Sequence, residues 1–206
     1  MAHIITLTGP AHCGKSTISH MFMEYEGNGF YPVPIPKYTT RKQRKNDEDV
    51  ICVEKLPEQC DLVYEQYGVR YGVELKKLYE YLEMGYTPII VVNDIRAVED
   101  LKSILGSLVY SVFLYRKPAV YQDFFDEEME RATEEITREY IAGNARTRYE
   151  KAQAIYRIYI ENIQLFDKVI LNTSKIENTK RQVKYIVENL QCQLKGLSGV
   201  EKNVGN

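Results

Sequence analysis

The sequence predicts an α/β fold in which a central parallel sheet is flanked by helices. Residues 87–93 are apolar on both faces, as expected of a strand in the middle of a parallel sheet. Outside residues 30–72, segments typical of strands alternate with segments typical of helices, which indicates βαβ units. A glycine-containing phosphate-binding pattern, residues 9–16, joins the first predicted strand to the first predicted helix.

Apolar runs bounded by glycine, proline or polar residues mark the individual elements. The first strand ends at a Gly-Pro pair, and a Glu-Gly-Asn-Gly segment stops the helix that follows. Leu75, Leu78 and Leu82 lie on one stripe at helical spacing, which predicts a helix ended by Gly85. Pro118 is placed to open a later helix. The predicted strands are residues 4–8, 50–53, 62–71 (interrupted at Gly68), 87–93, 109–115 and 168–171, and the predicted helices are residues 15–25, 74–84, 97–105, 118–128, 145–166 and 176–194.

Four further segments carry weaker signals. Residues 31–36 have proline at every second position, which predicts an extended edge segment. Residues 37–49 are highly polar and predict a loop. Residues 129–143 are charged with few aliphatic side chains, so we expect them to be mobile or solvent-facing. The polar residues 195–206 predict a frayed tail.

Composition bounds the class of protein. A chain of 206 residues is enough for one substantial core, and a formal net charge of −2 argues against a dedicated nucleic-acid-binding protein. Apolar runs are far too short for a membrane span, and the N-terminus lacks the pattern of a signal peptide. The scattered cysteines indicate neither a zinc site nor a disulfide framework, and a reducing cytoplasm is the expected location. They are Cys13, Cys52, Cys60 and Cys192.

Residues 9–16, Gly-Pro-Ala-His-Cys-Gly-Lys-Ser, match the pattern G-x-x-x-x-G-K-[ST] between a strand and a helix. Glycines allow the backbone to turn its N–H groups toward a phosphate at a helix N-terminus. Lys15 then reaches the β and γ phosphates of a nucleotide, and the Ser16 hydroxyl can ligate Mg²⁺. We expect His12 and Cys13 to be ordinary loop residues rather than a base or a reactive thiol. The predicted ATP-binding loop residues are Gly9, Pro10, Ala11, His12, Cys13, Gly14, Lys15, Ser16 and Thr17.

A second cluster of positive charge follows in residues 37–45, where five of nine residues are basic. A solvated loop, a nucleic-acid-binding patch and a second phosphate site are all compatible with such a run. In the third case Arg41 and Arg44 would present guanidinium groups to the phosphate oxygens.

The segment Thr39-Thr40-Arg41-x-x-Arg44, at this distance from a phosphate-binding loop, resembles the guanylate kinase family. The resemblance extends over roughly residues 4–192. It includes the Tyr-Gly pair at Tyr71 and a central strand that ends in the acidic residue Asp94. It also includes a lid-like segment at residues 131–136, the Asn-Ala-Arg-Thr-Arg segment and a final strand followed by Asn172.

The resemblance implies a P-loop kinase with a central parallel sheet flanked by helices, a small mostly β monophosphate-binding lobe and a helical lid. We expect a single domain over residues 1–206. Its core would comprise about residues 1–29, 86–128 and 148–194, its acceptor-binding lobe about 30–85, its lid about 129–147, and its frayed tail 195–206.

The resemblance also implies roles for individual residues. ATP would be the phosphoryl donor with Mg²⁺ as cofactor, and the backbone near Asn172 would contact adenine. The implied catalytic residues are Lys15, Arg131 and Arg148; the implied substrate-binding residues are Lys37, Thr40, Arg41, Arg44 and Tyr71; the implied metal-binding residues are Ser16 and Asp94.

The sequence departs from the family's pattern mainly where the family reads the base. Lys37 stands where the family has serine, Val50 where it has tyrosine, and Val73 where it has a small hydroxyl residue. The glutamate that reads guanine should fall within residues 62–64, none of which is acidic, and Val92 replaces an aspartate. Each lost buried partner costs roughly 1–3 kcal/mol, so we expect guanine preference to be weakened while phosphoryl transfer is retained.

The sequence therefore predicts ATP-dependent phosphoryl transfer to a nucleoside monophosphate, (d)GMP or another, by a cytoplasmic monomer or homodimer that binds neither nucleic acid nor membrane. Two alternatives stay open. One is a kinase of a phosphorylated sugar such as a ribose bisphosphate. The other is a catalytically weak interaction module, although an interaction module has no use for Lys15 at this spacing.

Overall fold

A computed structural model describes residues 3–43, 49–66, 68–132, 137–173 and 175–200, with side chains at residue 131 and beyond residue 193 outside the description. Two sheets and a set of flanking helices make up this part of the chain. The strands are β1 Ile4–Thr8, β2 Pro32–Pro34, β3 Lys37–Thr39, β4 Val50–Cys52, β5 Leu62–Gln66, β6 Val69–Val73, β7 Thr87–Val91, β8 Val109–Tyr115 and β9 Lys168–Leu171. The α-helices are α1 Lys15–Met23, α2 Leu75–Glu83, α3 Ile95–Leu105, α4 Tyr121–Arg131, α5 Arg138–Glu161 and α6 Ile176–Val200.

The larger sheet is parallel throughout, with the strand order β2-β7-β1-β8-β9. All residues of β1 and β7 are buried, which confirms the prediction of strands apolar on both faces at the centre of the sheet. The predicted extended segment at residues 31–36 contributes β2 at one edge. An edge strand tolerates Pro32 and Pro34 because it forms a hydrogen-bond ladder on one side only.

Helices cover both faces of this sheet. Ile5 points into an apolar cluster with Phe22 of α1 and Val183 of α6. The neighbouring Ile4 points to the opposite face, where it joins a cluster with Val98 of α3 and Tyr159 of α5. Alternate residues of one strand thus anchor two separate helical layers, which confirms the predicted α/β class.

The smaller sheet has the order β4-β3-β6-β5, with antiparallel pairing of β6 to both β3 and β5 and parallel pairing of β3 to β4. The prediction of a loop over residues 37–49 was wrong at its start, because residues 37–39 form β3. The two inward-facing side chains of this strand, Lys37 and Thr39, are both polar, so no apolar alternation marked it.

Helix boundaries differ from the prediction around residues 118–145. Helix α4 begins at Tyr121 rather than at Pro118, and α5 begins at Arg138, where the Thr137 side chain accepts a hydrogen bond from the Tyr140 amide. Residues 129–131 and 138–143, expected to be mobile or solvent-facing, are therefore helical, while residues 133–136 lie outside the description. These two helices pack against each other.

At the other end of the chain, the backbone of α6 continues to Val200, beyond the predicted helix end at residue 194, while the frayed tail stays a prediction. Residues 201–206 lie outside the described part. Across the described residues, no helix is both long enough and apolar enough to cross a membrane.

Candidate active site

The loop between β1 and α1 is shaped by its two glycines. Gly14 caps α1 with a φ of +90°, a conformation that side chains other than glycine rarely adopt. A Cβ atom on Gly14 would lie 2.6 Å from Nδ2 of Asn172. On Gly9 it would lie 2.7 Å from Sγ of Cys13 and 2.8 Å from the carbonyl oxygen of Leu114. The loop can therefore keep this close packing only with glycine at both positions.

Lys15 folds back across the loop that precedes it. Its ammonium donates to the carbonyl oxygens of Gly9, at 3.0 Å, and Pro10, at 2.8 Å, and lies 3.8 Å from Sγ of Cys13. These contacts place a positive charge against the loop that precedes α1. That combination of a positive charge and a helix N-terminus suits an anion such as a polyphosphate.

Asn172 is hydrogen-bonded to the phosphate-binding loop. Its Nδ2 atom donates to the carbonyl oxygen of Cys13 at 2.7 Å, and its Oδ1 atom accepts from the Thr179 hydroxyl at 3.3 Å. The sequence had singled out Asn172 for adenine contact, which stays a prediction. The structure adds a role in positioning the phosphate-binding loop.

Arg148 on α5 lies in a mixed-charge network with α4. Its guanidinium pairs with Glu127, at 2.7 Å, and with Glu128, and it lies over the ring of Phe124. Glu127 also contacts the loop, because its Oε2 atom lies 3.2 Å from Nε2 of His12. The α4–α5 pair is thereby linked to the phosphate-binding loop through one carboxylate.

Asp94 follows β7 and begins α3. Its Oδ1 atom accepts a hydrogen bond from the Ala97 amide at 2.9 Å, so this carboxylate is the N-cap of the helix. The cap fixes its position beside the carboxyl ends of the core strands, the edge at which parallel sheets bind ligands.

The residues present fit a magnesium ion held mainly by nucleotide phosphates and water. Among the described residues no group of three or more His, Cys, Asp or Glu side chains could hold a metal by itself. Mg²⁺ commonly keeps several waters and takes only one or two protein ligands when it binds with phosphates. Ser16 in the first turn of α1 and Asp94 at the N-cap of α3 would be the two protein ligands, direct or through water.

Lys37 reaches from the smaller sheet to the core sheet. Its ammonium is buried, donates to the carbonyl oxygen of Val91 at 2.5 Å, and lies 3.8 Å from Oδ2 of Asp49. The pKa of this ammonium falls to about 8: burial is the main cause, Asp49 opposes the fall, and the positive charges of Lys15 and Arg41 add to it. Lys37 therefore lies within the electrostatic reach of both predicted phosphate sites.

Three other predicted acceptor residues lie on or next to the smaller sheet. The Tyr71 ring lies with its centroid 5.4 Å from the Lys37 ammonium, and Thr40 pairs with the backbone of Arg70 across the smaller sheet. Arg41 directly follows β3 and donates to the carbonyl oxygen of Lys42 at 3.1 Å.

Two predicted residues cannot be placed. Arg44 lies outside the described residues, and of Arg131 only the backbone at the end of α4 is described. Their assigned roles stay predictions.

This chain resembles known proteins in its structure rather than in its sequence. No family model matches the chain, and no curated protein matches it significantly. Solved structures do match, among them a crystal structure of guanylate kinase from Anaplasma phagocytophilum. The match has a TM-score of 0.59 and 21% sequence identity, and it covers 92% of this chain and 86% of that chain. The chain has the fold of a guanylate kinase.

Two features of the site were missed in the sequence. Glu127 and Glu128 occur in an acidic run that looked like a solvated helix face, and only the packing of α4 against α5 turns them toward Arg148. Tyr64 lies beside Tyr71, with nearly parallel rings and centroids 5.3 Å apart. Its position opposite Tyr71 is set by the β5–β6 register, which is seen only in the structure.

Proposed function

We propose that this protein is an ATP-dependent phosphotransferase whose acceptor is a nucleoside monophosphate or a similarly small phosphorylated molecule. The observation that carries the proposal is the electrostatic proximity of two cationic sites. Lys15 belongs to the phosphate-binding loop, Arg41 to the start of the acceptor-side loop, and the positive charges of both lower the pKa of Lys37. The guanylate kinase fold of the chain supports the same assignment at the level of architecture.

The chemistry needs no general base at neutral pH, because an ionised acceptor phosphate is already a nucleophile. An oxygen of the acceptor phosphate attacks the γ-phosphorus, a new P–O bond forms, the bond to the β-phosphate oxygen breaks, and ADP leaves. ATP supplies the phosphoryl group, and Mg²⁺ would neutralise charge on its phosphates. The protein's contribution is to position both phosphates and to stabilise the charge between them.

Each residue has a defined task in this proposal. Lys15 and the loop amides hold the donor phosphates, and Ser16 and Asp94 serve the metal directly and through water. The acceptor phosphate is held by Thr40, Arg41, Arg44 and Tyr71. Arg131 and Arg148 would stabilise the transferring group when α4 and α5 approach it, which requires Arg148 to exchange Glu127 for phosphate oxygens.

A coupled assay of ADP release, with ATP and Mg²⁺ against a panel of ribo- and deoxyribonucleoside monophosphates and ribose phosphates, tests the proposal. Turnover that depends on one class of acceptor supports it. Lys15→Ala should reduce turnover at least about 100-fold, because it removes a charge that stabilises the transferring group. Arg41→Ala should mainly raise the KM for the acceptor. ATP binding without turnover on any acceptor would contradict the proposal and favour an interaction module.

A further inference from the structure

Two side chains from different parts of the fold donate to one backbone carbonyl oxygen, that of Asn93. Nε2 of Gln66, the last residue of β5, lies 2.8 Å from this oxygen, and the hydroxyl of Tyr159 on α5 donates to it as well. A carbonyl oxygen has two lone pairs, so these two donors use its acceptor capacity. Tyr64, also on β5, adds a hydrogen-bond contact to the Asn93 backbone. The smaller sheet and α5 therefore meet at the backbone that follows β7.

The donor side of the site is attached to the same strand end. The register of β1 and β7 sets Leu7 beside Val91, and the Val92 amide donates to the Leu7 carbonyl oxygen at 3.1 Å. The phosphate-binding loop begins two residues after Leu7, and Asp94 follows Asn93 directly. The end of β7 is therefore a common reference for the donor loop, the predicted metal-binding residue, the smaller sheet and α5.

Apolar side chains pack next to this junction. Tyr159 is 1% exposed and belongs to the same apolar cluster as Leu62 of β5 and Val98 of α3. The centroid of its ring lies 5.6 Å from that of Phe113. Apolar packing is not directional, whereas a hydrogen bond weakens when its length or angle changes. Packing alone would let the smaller sheet and α5 shift against the core sheet, and the hydrogen bonds to Asn93 oppose that shift.

Both elements that meet at Asn93 carry residues assigned to the proposed reaction. Strand β5 pairs with β6, which contains Tyr71 of the acceptor site. Arg148 precedes Tyr159 by about three turns of α5, about 16 Å along the helix axis, so a small rotation of the helix about Tyr159 moves the guanidinium. A misplacement of about 1 Å can cost on the order of 100-fold in rate. Small movements at this junction would therefore be measurable in the reaction.

We propose that Gln66 and Tyr159 are positioning residues, which hold the smaller sheet and α5 in register with the donor loop through the carbonyl oxygen of Asn93 before substrate binds. This proposal rests on the proposed phosphotransferase function and names residues that organise the same site. Neither side chain touches a reacting atom. Gln66 acts through the acceptor residues of the smaller sheet, and Tyr159 acts through Arg148.

Gln66→Met and Tyr159→Phe remove the two donors and keep the approximate size of each side chain. Steady-state ADP release, with ATP, Mg²⁺ and the acceptor that is active in the panel, measures both variants. Gln66→Met should raise the KM for the acceptor at least about tenfold and change kcat little, whereas Tyr159→Phe should lower kcat at least about tenfold. Neither variant should alter ATP affinity in calorimetry. Gln193→Met and Tyr185→Phe, at exposed residues of α6, are matched controls and should behave as wild type.

The double variant separates positioning from simple satisfaction of a backbone oxygen. If the two donors only satisfied the carbonyl oxygen of Asn93, either would suffice, so each single variant would match the wild type and only the double variant would fail. If they position two elements, each single variant shows its own defect, and the double variant shows a raised KM together with a lowered kcat. Single variants that match the wild type would overturn the proposal.

Amide hydrogen exchange of the ligand-free protein tests the proposal without turnover, because exchange reports local opening of each element. Gln66→Met should speed exchange in peptides from β5 and β6, and Tyr159→Phe should speed exchange in α5 around Arg148. Peptides from β1 should keep their wild-type rates in both variants. Unchanged exchange in both variants, or equal acceleration that includes β1, would contradict the proposal. Should Tyr159→Phe fail to fold, Gln66→Met, at a half-buried residue, decides alone.

The two proposals fail in different ways. If exchange changes as expected but no acceptor gives ADP release, the phosphotransferase function is wrong, and the attachment of the smaller sheet and α5 to Asn93 stands. If ADP is released and both variants match the wild type in kinetics and exchange, the function stands and the positioning role of Gln66 and Tyr159 is wrong.

Discussion

Replacing Gly14 with alanine tests the central claim that glycine shapes the phosphate-binding loop. The residue has a φ of +90°, and a Cβ atom would lie 2.6 Å from Nδ2 of Asn172. The left-handed backbone costs an alanine about 1–2 kcal/mol. Displacing Asn172 also breaks its hydrogen bond to Cys13, which contributes about 0.5–1.5 kcal/mol. We therefore expect Gly14→Ala to lower the free energy of unfolding by about 1.5–3.5 kcal/mol.

Gly85 provides a matched control, since its φ is +85° and a Cβ atom there would have no neighbour within 4 Å. Gly85→Ala carries the same backbone penalty without the clash, so it should cost only about 1–2 kcal/mol. Chemical denaturation of both variants measures the difference. ATP affinity, measured by calorimetry, should fall at least tenfold in Gly14→Ala, about 1.4 kcal/mol, and stay unchanged in Gly85→Ala.

Asn172→Ala completes the experiment. In that background the clash with residue 14 disappears, so the cost of Gly14→Ala should drop toward that of Gly85→Ala. The expected coupling between the two sites is about 1 kcal/mol, within the range found for residues in contact. Equal costs at both glycines together with unaltered ATP affinity would refute the reasoning, because the loop would then accommodate a side chain at residue 14.

Three further outcomes follow from the contacts described. Asp94→Asn keeps the helix cap and should leave stability nearly unchanged while lowering the Mg²⁺-dependent rate, whereas Asp94→Ala should also lower stability by about 1 kcal/mol in a denaturation curve. Arg148→Ala should lower kcat by at least about 100-fold, while Glu127→Gln, which removes one of the two carboxylate partners of Arg148, should lower kcat far less. Burial alone would raise the pKa of Asp167, but hydrogen bonds from the Ser111 amide and Lys102 lower it below its ordinary 3.8. Its contribution to stability is therefore present above that pH and lost as the pH falls through the lower folded value, so Asp167→Asn should flatten the dependence of Tm on pH there, and an unchanged acid limb would contradict this.

The core sheet could be predicted because its physical signals are local. Buried parallel strands are apolar on both faces, and the spacing of Gly9, Gly14 and Lys15 carries its own backbone requirement. The strand β3 could not be predicted in this way. Its buried side chains, Lys37 and Thr39, are polar and pair with the Val91 carbonyl oxygen and the Arg41 amide, so burial left no trace in the pattern of apolar residues.

The candidate site, like the fold, was predictable only where a local sequence motif marks the residue. Lys15 and Arg41 are marked by motifs, and the structure brings both within electrostatic reach of Lys37. The partners of Arg148 were not predictable, since they depend on how α4 packs against α5. A glutamate in an acidic helical run looks the same in the sequence whether it faces water or a guanidinium.

The cations of this site share one property that governs ligand binding. Lys15 holds the carbonyl oxygens of its own loop, Lys37 holds the carbonyl oxygen of Val91, and Arg148 holds the carboxylates of Glu127 and Glu128. Each cation is therefore already satisfied by protein oxygens, and a phosphate must replace them. The binding free energy is then the difference between two sets of hydrogen bonds. It is most favourable for a ligand whose oxygens carry more negative charge than a carbonyl oxygen. At Arg148 a phosphate would replace a carboxylate, so the gain in binding free energy is the smallest of the three. We therefore expect Arg148 to contact phosphate last, and only when both donor and acceptor are bound.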